Sequence, residues 1–170
     1  MQRVLVMGCS GAGKSTFACK LAERCGLPFV SIDRIYWLPG WVEPVGGAFT
    51  VAMTQEAEKA AWVIDGNYLS HGAADLRRAR ADTVCFFDFP RWVCMVGIIR
   101  RSAMSYGQVR PEMDPGCPEK FDPVFWRYVW TFQTQQRPRL LAYFKGLRPG
   151  QRLVTFTTRA QADDFLREAA

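Results

Sequence analysis

The feature that most constrains this chain is a glycine-rich segment close to its amino end. Residues 8–16 match the pattern G-x-x-x-x-G-K-[ST], and they read Gly8-Cys9-Ser10-Gly11-Ala12-Gly13-Lys14-Ser15-Thr16. A short apolar run at 4–7 comes directly before this segment, and helix-forming residues follow it. A strand, a glycine loop and a helix in that order are the structural setting in which the pattern binds phosphate.

The residue types of this loop explain why it suits phosphate. Glycines let the backbone adopt positive φ and approach phosphate oxygens closely, and successive N–H groups form an anion-binding nest. The helix that follows adds the positive end of its dipole. Lys14 supplies a charge for the β- and γ-phosphates, and Ser15 supplies a hydroxyl for Mg²⁺. The sequence therefore predicts that residues 8–16 bind a nucleotide with Mg²⁺. ATP is favoured, because no N-K-x-D segment for guanine is present.

Apolar, strand-like runs alternate with helix-like segments along the whole chain. Strands are predicted at 4–7, 29–33, 62–65, 83–89 and 153–157, and helices at 14–25, 50–61, 91–101, 122–136, a second piece ending at 144, and 160–169. Four of these strands are continuous apolar runs, which is typical of a parallel sheet covered on both faces. We expect one α/β domain over 1–170, with three layers (α/β/α) and five parallel strands. Residues 102–120, rich in Gly, Pro and Ser, are predicted to form a long flexible loop.

Charge and cysteine content limit the classes of partner. The net charge of +6 suits an anionic partner such as a nucleotide, a phosphorylated metabolite or nucleic acid. The basic residues are spread along the chain, so nucleic-acid binding stays open but is not favoured. Six cysteines without a C-x-x-C pair indicate reduced thiols rather than a zinc site. No apolar run is long enough to span a membrane, and no signal peptide is recognisable, so we expect a cytoplasmic protein.

Several further motifs give the chain a family resemblance. It resembles the adenylate-kinase-like small P-loop kinases and, more closely, the group known as DNA topology modulation proteins. The resemblance rests on the loop at 8–16 and on the following strings: Ser31-Ile32-Asp33, Trp37-Leu38-Pro39-Gly40-Trp41, Ile64-Asp65-Gly66-Asn67-Tyr68, Asp75-Leu76-Arg77, Arg80-Ala81-Asp82, Phe87-Asp88-Phe89-Pro90-Arg91-Trp92, Arg110-Pro111-Glu112-Met113 and Gly116-Cys117-Pro118-Glu119.

The resemblance implies a P-loop fold with strand order 2-3-1-4-5, a lid loop at about 102–120, and phosphoryl transfer from ATP with Mg²⁺. Two departures argue against adenylate kinase activity. The D-G-F-P-R string of that enzyme is Asp65-Gly66-Asn67-Tyr68 here, without its arginine, and the lid lacks four cysteines. The leading expectation is a kinase that acts on a small molecule, at a hydroxyl. The alternatives are a P-loop ATPase or nucleotide-gated regulator acting on DNA or another macromolecule, and a nucleotide-binding protein without turnover.

Carboxylates at the ends of three predicted strands are candidates for the chemistry, because ligands collect at the carboxyl ends of parallel strands. Asp65 ends the third strand beside the phosphate loop and is predicted to hold Mg²⁺ together with Ser15, with Asp88 as the alternative. Asp33 ends the second strand and is predicted to accept or orient the proton of an attacking hydroxyl. Arg34 is predicted to pair with a substrate phosphate or carboxylate.

Aromatic and basic residues supply the remaining candidates. Trp37 and Trp41 are predicted to stack on a base or sugar of the substrate. Charge on the transferring phosphoryl group is predicted to be neutralised by Arg100, Arg101 and Arg110, whereas Arg77 is a weaker candidate for contact with substrate. Trp126 and Trp130 form a second aromatic stripe on the helix at 122–136, which leaves a homodimer contact open.

Overall fold

Five parallel strands form the centre of the protein in a computed structural model that describes residues 1–169. The strands are β1 (Arg3–Gly8), β2 (Phe29–Ser31), β3 (Trp62–Asp65), β4 (Thr83–Phe87) and β5 (Arg152–Phe156). They lie in the order β2-β3-β1-β4-β5, and each neighbouring pair is parallel. The predicted fold class, the number of strands and their order are therefore confirmed.

Helices connect the strands and lie on both sides of the sheet. Within the described residues they are α1 (Lys14–Cys25), α2 (Ile32–Tyr36), α3 (Ala48–Glu58), α4 (Ala74–Arg80), α5 (Arg91–Ser105), α6 (Pro123–Gln135), α7 (Arg137–Phe144) and α8 (Arg159–Glu168). No helix within 1–169 has both the length and the apolar composition needed to cross a membrane.

Two helices differ from the sequence-based expectation. β2 ends at Ser31, whose side chain accepts a hydrogen bond from the Arg34 backbone N–H and so caps α2. The prediction that Asp33 ends the second strand is therefore wrong, because Asp33 lies in the first turn of α2. The seven-residue helix α4 was not predicted, since it is too short to show a clear apolar period.

The burial of the strands matches their positions in the sheet. Residues 4–7 of β1, the central strand, are fully buried, and β3 and β4 on either side are buried along their whole lengths. β5 lies at one edge and is largely exposed, with Leu153 42% accessible. Most of the buried apolar residues form one hydrophobic cluster around the sheet. This rigid centre positions the loops at the carboxyl ends of β1, β2 and β3.

Residues 102–120 are more ordered than a flexible loop. α5 continues to Ser105, and the following residues 106–120, here called the lid segment, fold back on themselves. Backbone hydrogen bonds join Gly107 N to Glu119 O and Glu119 N to Gln108 O, each at 2.9 Å. The Glu119 side chain is buried, so the lid segment is anchored from inside by a charged group.

Candidate active site

The phosphate loop has the backbone geometry that its sequence predicts. Gly11 and Gly13 have φ of 82° and 92°, which favours glycine, and Gly13 forms the N-cap of α1. No side chain caps α1, and its first turn holds no acidic residue, so its first N–H groups face the loop without a competing carboxylate. Gly11 also packs against Gly97 of α5 so closely that a Cβ on either residue would overlap with backbone. Helix α5 therefore packs directly against the phosphate loop and supports its conformation.

Lys14 and Ser15 both line the cavity in front of this loop. The Lys14 ammonium donates a hydrogen bond to the Cys9 carbonyl at 2.9 Å, across the loop. The Ser15 hydroxyl donates to Asp65 Oδ2 at 2.5 Å, which joins α1 to the end of β3. This contact arises from sheet register, because Asp65 pairs with Val6 on β1, two residues before the loop.

Asp65 has the environment of a residue that serves a cation. Its side chain is buried, and its Oδ1 atom has no hydrogen-bond partner. Burial raises the pKa of Asp65 to about 6, although Lys14 and the Ser15 hydroxyl act in the opposite direction. A buried carboxylate oxygen without a partner, beside a serine hydroxyl, fits the oxygen ligands and bound waters that Mg²⁺ takes.

Asp88, the alternative metal residue, is engaged elsewhere. Its two carboxylate oxygens accept hydrogen bonds from Arg137 Nε at 2.8 Å and Nη2 at 2.7 Å. This bidentate pair joins the end of β4 to α7, and Asp88 does not line the cavity. The geometry thus separates the two carboxylates, with Asp65 at the phosphate loop and Asp88 in a structural ion pair.

Asn67 is a residue of this site that the sequence analysis gave no role. Its side-chain Oδ1 accepts from the Gly8 N–H at 2.9 Å, and its Nδ2 donates to the Gly8 carbonyl at 3.0 Å. The amide therefore pairs with both backbone groups of the first loop residue and fixes the entry into the phosphate loop. The available signal was its place in the string that follows β3, directly after Gly66 at φ 136°.

Asp33 lines the same cavity, from the helix α2 that directly follows the edge strand β2. Its Oδ1 accepts a hydrogen bond from the Tyr68 hydroxyl at 3.0 Å. Burial and the neighbouring Asp33 carboxylate raise the pKa of Tyr68, so the phenol remains a donor at neutral pH. Trp37 and Trp41 line the cavity beside Asp33, as do Tyr36, Glu43 and Tyr68.

The three predicted lid arginines also line the cavity, but two of them have acidic partners that the sequence did not indicate. Glu119 Oε1 accepts from Arg101 Nε at 3.1 Å and from the Ser102 hydroxyl at 3.0 Å. Arg110 lies with its Nε 3.1 Å from Glu119 Oε2 and donates from Nη1 to Glu112 at 2.8 Å. Arg100 is exposed and contacts Met104. Two lid cations are thus oriented by Glu119 and Glu112.

Two predicted substrate residues lie away from the cavity. Arg77 is fully buried and donates to the backbone carbonyls of Tyr68 at 2.7 Å and Gly72 at 2.9 Å, so it holds the loop after β3 and cannot reach a ligand. Arg34 is exposed on α2 and does not line the cavity, because its neighbour Asp33 faces inward. We therefore correct the expectation of substrate contact for Arg77, whereas the role of Arg34 stays a prediction. Trp126 is half-buried and Trp130 is exposed, and the homodimer stays a prediction.

One continuous cavity of about 1160 Å³ connects these groups. Its nucleotide end is formed by residues 10–16 and Asp65. We call the part lined by Asp33 and its neighbouring aromatic residues the acceptor end, and the three lid arginines also line the cavity. This volume exceeds that of a pocket for one drug-sized ligand, so two reactants can occupy it together.

Comparisons with known proteins agree with this architecture. A family model described as isopentenyl transferase matches residues 1–79, which is less than half of the chain. No curated protein sequence matches. Among solved structures, shikimate kinase from Acinetobacter baumannii in complex with shikimate is 19% identical, with a TM-score of 0.57 over 99% of this chain and 90% of that one.

Two further structures give the same result. A gluconokinase from Sinorhizobium meliloti 1021 is 18% identical, with a TM-score of 0.54 over 99% of this chain and 89% of that one. A putative kinase from Chloroflexus aurantiacus is also 18% identical, with a TM-score of 0.54 over 99% and 97% of the two chains. These similarities establish the fold of the small P-loop kinases for this chain. The resemblance to DNA topology modulation proteins stays a prediction.

Proposed function

We propose that this protein is a kinase that transfers the γ-phosphoryl group of ATP to a hydroxyl of a small molecule. The observation that carries the proposal is the shared cavity, which is lined both by the phosphate loop and by Asp33. A protein that only hydrolyses or senses nucleotide needs no second carboxylate-bearing pocket facing its phosphate loop. The structural neighbours named as shikimate kinase and gluconokinase support a small-molecule acceptor.

At the nucleotide end, the backbone of the loop and Lys14 would hold the β- and γ-phosphates. Lys14 lines the cavity, and it would exchange its hydrogen bond to the Cys9 carbonyl for one to the γ-phosphate. Ser15 and Asp65 would hold Mg²⁺, which neutralises charge on the β- and γ-phosphates when bound. Asn67 keeps the first turn of the loop in place for this contact.

At the acceptor end, Asp33 would take the proton of the attacking hydroxyl. The acceptor oxygen forms a bond to the γ-phosphorus while the bond from that phosphorus to the β–γ bridging oxygen breaks, and ADP leaves with the bridging oxygen. Tyr68 donates to one oxygen of Asp33, which orients the carboxylate and leaves the other oxygen available to the hydroxyl. A phosphate acceptor would need no such base, since its oxygens are already ionised.

The lid arginines would stabilise charge during transfer. Arg101 on α5 and Arg110 in the lid segment line the cavity and both contact Glu119, so movement of the lid segment and the end of α5 would bring their guanidinium groups to the phosphoryl oxygens. We infer that the lid segment closes over bound nucleotide and excludes water from the transfer.

A phosphoryl-transfer screen tests the proposal. Wild-type protein and Lys14→Ala are incubated with γ-labelled ATP, Mg²⁺ and a panel of nucleosides, nucleotides and hydroxylated metabolites. We expect label on the hydroxyl of one acceptor with wild type and none with the variant. Release of inorganic phosphate alone, or its stimulation by DNA, would favour the ATPase or nucleotide-gated regulator that the net charge of +6 also suits.

A further inference from the structure

We propose that the acceptor is a hydroxylated ring compound that stacks on an aromatic wall at the acceptor end of the cavity. The aromatic wall consists of Tyr36, Trp37, Trp41 and Tyr68, which all line the cavity and are all half-buried. The inference rests on the proposed function and deepens it. It names a substrate class, namely compounds that carry both a ring face able to stack and a free hydroxyl.

The rings of the aromatic wall support one another. The centroid of the Tyr36 ring lies 5.0 Å from that of Trp37 and 4.7 Å from that of Tyr68. The centroids of Trp37 and Trp41 lie 5.6 Å apart. Phe49 backs this group from α3, with its centroid 4.9 Å from that of Tyr36. Rings in such contact have few alternative rotamers, so they lose little entropy when a ligand stacks on them.

Backbone strain is concentrated in the same wall. Among residues 1–169, three residues other than glycine have positive φ, and two of these are Trp41 at 64° and Tyr68 at 38°. Bulky residues rarely adopt this conformation, and it persists only where the surrounding structure enforces it. The chain therefore maintains an unfavourable backbone at both positions to present these two rings to the cavity.

The wall is also fastened to the lid segment. Trp41 Nε1 donates to the Pro118 carbonyl at 2.9 Å, and Gly40 N donates to the Gly116 carbonyl at 2.7 Å. Gly116 lies so close to Pro39 that a Cβ would overlap with it. The aromatic wall and the lid segment are thus connected by hydrogen bonds. The acceptor end of the cavity is complete only when the lid segment packs against the wall.

Carboxylates that can hold ring hydroxyls lie at this end, together with one lysine. Asp33 and Glu43 line the cavity together with the aromatic wall and supply two carboxylates there. Partial burial and the Glu43 carboxylate raise the pKa of the Tyr36 hydroxyl. Lys120 lies over the Trp41 ring, 5.5 Å from its centroid. Carboxylates accept hydrogen bonds from ring hydroxyls but repel a dianionic phosphate. The shared chemistry is that of a nucleoside, a cyclic sugar or a cyclic polyol.

Calorimetric binding tests this inference without requiring turnover. The protein is titrated, in the presence of a non-hydrolysable ATP analogue and Mg²⁺, with a nucleoside, a methyl pyranoside, the linear polyol sorbitol and a nucleoside monophosphate. We expect either the nucleoside or the methyl pyranoside to bind at least 10-fold more tightly than sorbitol. The tighter of the two identifies the kind of ring that the wall accepts. Trp37→Leu should weaken this binding about 10-fold, as expected for loss of a stacking ring, with unchanged affinity for the ATP analogue.

Two further variants distinguish a specific effect on the aromatic wall from a general loss of folded protein. Gly116→Ala, which disturbs the contact with Pro39, should weaken ring binding in the same way as Trp37→Leu, whereas Trp92→Leu, on the exposed face of α5, should not. Tight binding of sorbitol or the monophosphate alone, or ring binding unaffected by Trp37→Leu, would overturn the inference and leave the proposed function standing. Ring binding without any phosphoryl transfer would instead overturn the proposed function and leave the wall as a ring-binding surface.

Discussion

The two ends of the cavity are built in different ways. The nucleotide end is formed mainly by the consecutive residues 10–16 of the phosphate loop, together with Asp65 from the neighbouring strand. The acceptor end joins α2, the loop after β3 and the lid segment, which are far apart in the sequence. Local order at the first end makes it recognisable from a short pattern, whereas the second end exists only after the chain has folded.

The largest expected effect is at the nucleotide end. Lys14→Ala should lower phosphoryl transfer about 10³-fold, because it removes a charge directed at the transferring group. It should leave the folded structure intact, since the ammonium makes one hydrogen bond, to the Cys9 carbonyl. Calorimetry with ATP and a thermal melt check the two parts. Normal turnover and unchanged ATP affinity would show that the phosphate loop does not serve a nucleotide.

The two strand-end carboxylates provide the next comparison. Asp65→Asn should lower Mg²⁺-dependent transfer by roughly 10²-fold, because it weakens the site shared with Ser15. Asp88→Asn is the matched control, and it should lower stability through loss of the Arg137 pair with little effect on the Mg²⁺ requirement. A Mg²⁺ titration of both variants measures this, and the reverse ranking would move the metal role to Asp88.

Asp65 should also limit the stability of the metal-free protein. Its folded pKa of about 6 lies above the ordinary value of 3.8, so the folded state retains a proton that the unfolded state has already released. The free energy of unfolding therefore falls as pH rises from about 4 to 6, and the loss is complete by pH 7. Asp65→Asn should raise the free energy of unfolding at pH 7 by up to about 3 kcal/mol, and it should give no increase near pH 3.5. Denaturant unfolding in a chelator measures the difference, and equal gains at both pH values would contradict this pKa.

The smallest effect is expected in the lid segment. Glu119→Gln should weaken the contacts to Arg101 and Arg110, raise the rate of proteolysis within 106–120 several-fold, and lower transfer about 10-fold. Asp75→Asn, which removes an exposed ion pair with Arg78, is the control and should change neither. Unchanged cleavage and transfer in Glu119→Gln would mean that the buried glutamate does not orient the lid.

The sequence predicted the parts of this molecule that depend on local pattern. The phosphate loop, β3 and the parallel sheet follow from glycine spacing and from apolar runs, and the strand order came from family resemblance. The error at Asp33 arose because an apolar strand and a short helix join at Ser31 without a turn signal. Asn67 and Gly8 are 59 positions apart, so no spacing rule connects them.

The arginines show most clearly what a single sequence cannot reveal. Arg77 and Arg110 are both arginines within the motifs of the family resemblance, yet one is fully buried against backbone carbonyls and the other lines the cavity. The difference depends on which face of α4 packs inward and on the position of the buried Glu119. Both features belong to the tertiary structure. The short helix α4 also has no apolar period that would indicate which of its faces packs inward.

The most direct test of the account is the effect of Asp33→Asn on the two ends of the cavity. The variant keeps an oxygen for the Tyr68 hydroxyl but cannot accept the proton of the acceptor. We predict that phosphoryl transfer to the acceptor falls roughly 10²-fold or more, while the calorimetric affinity for ATP stays at the wild-type value. Transfer at the wild-type rate, or a screen that yields only nucleoside monophosphates as acceptors, would contradict the assignment of Asp33 as the base for a hydroxyl acceptor.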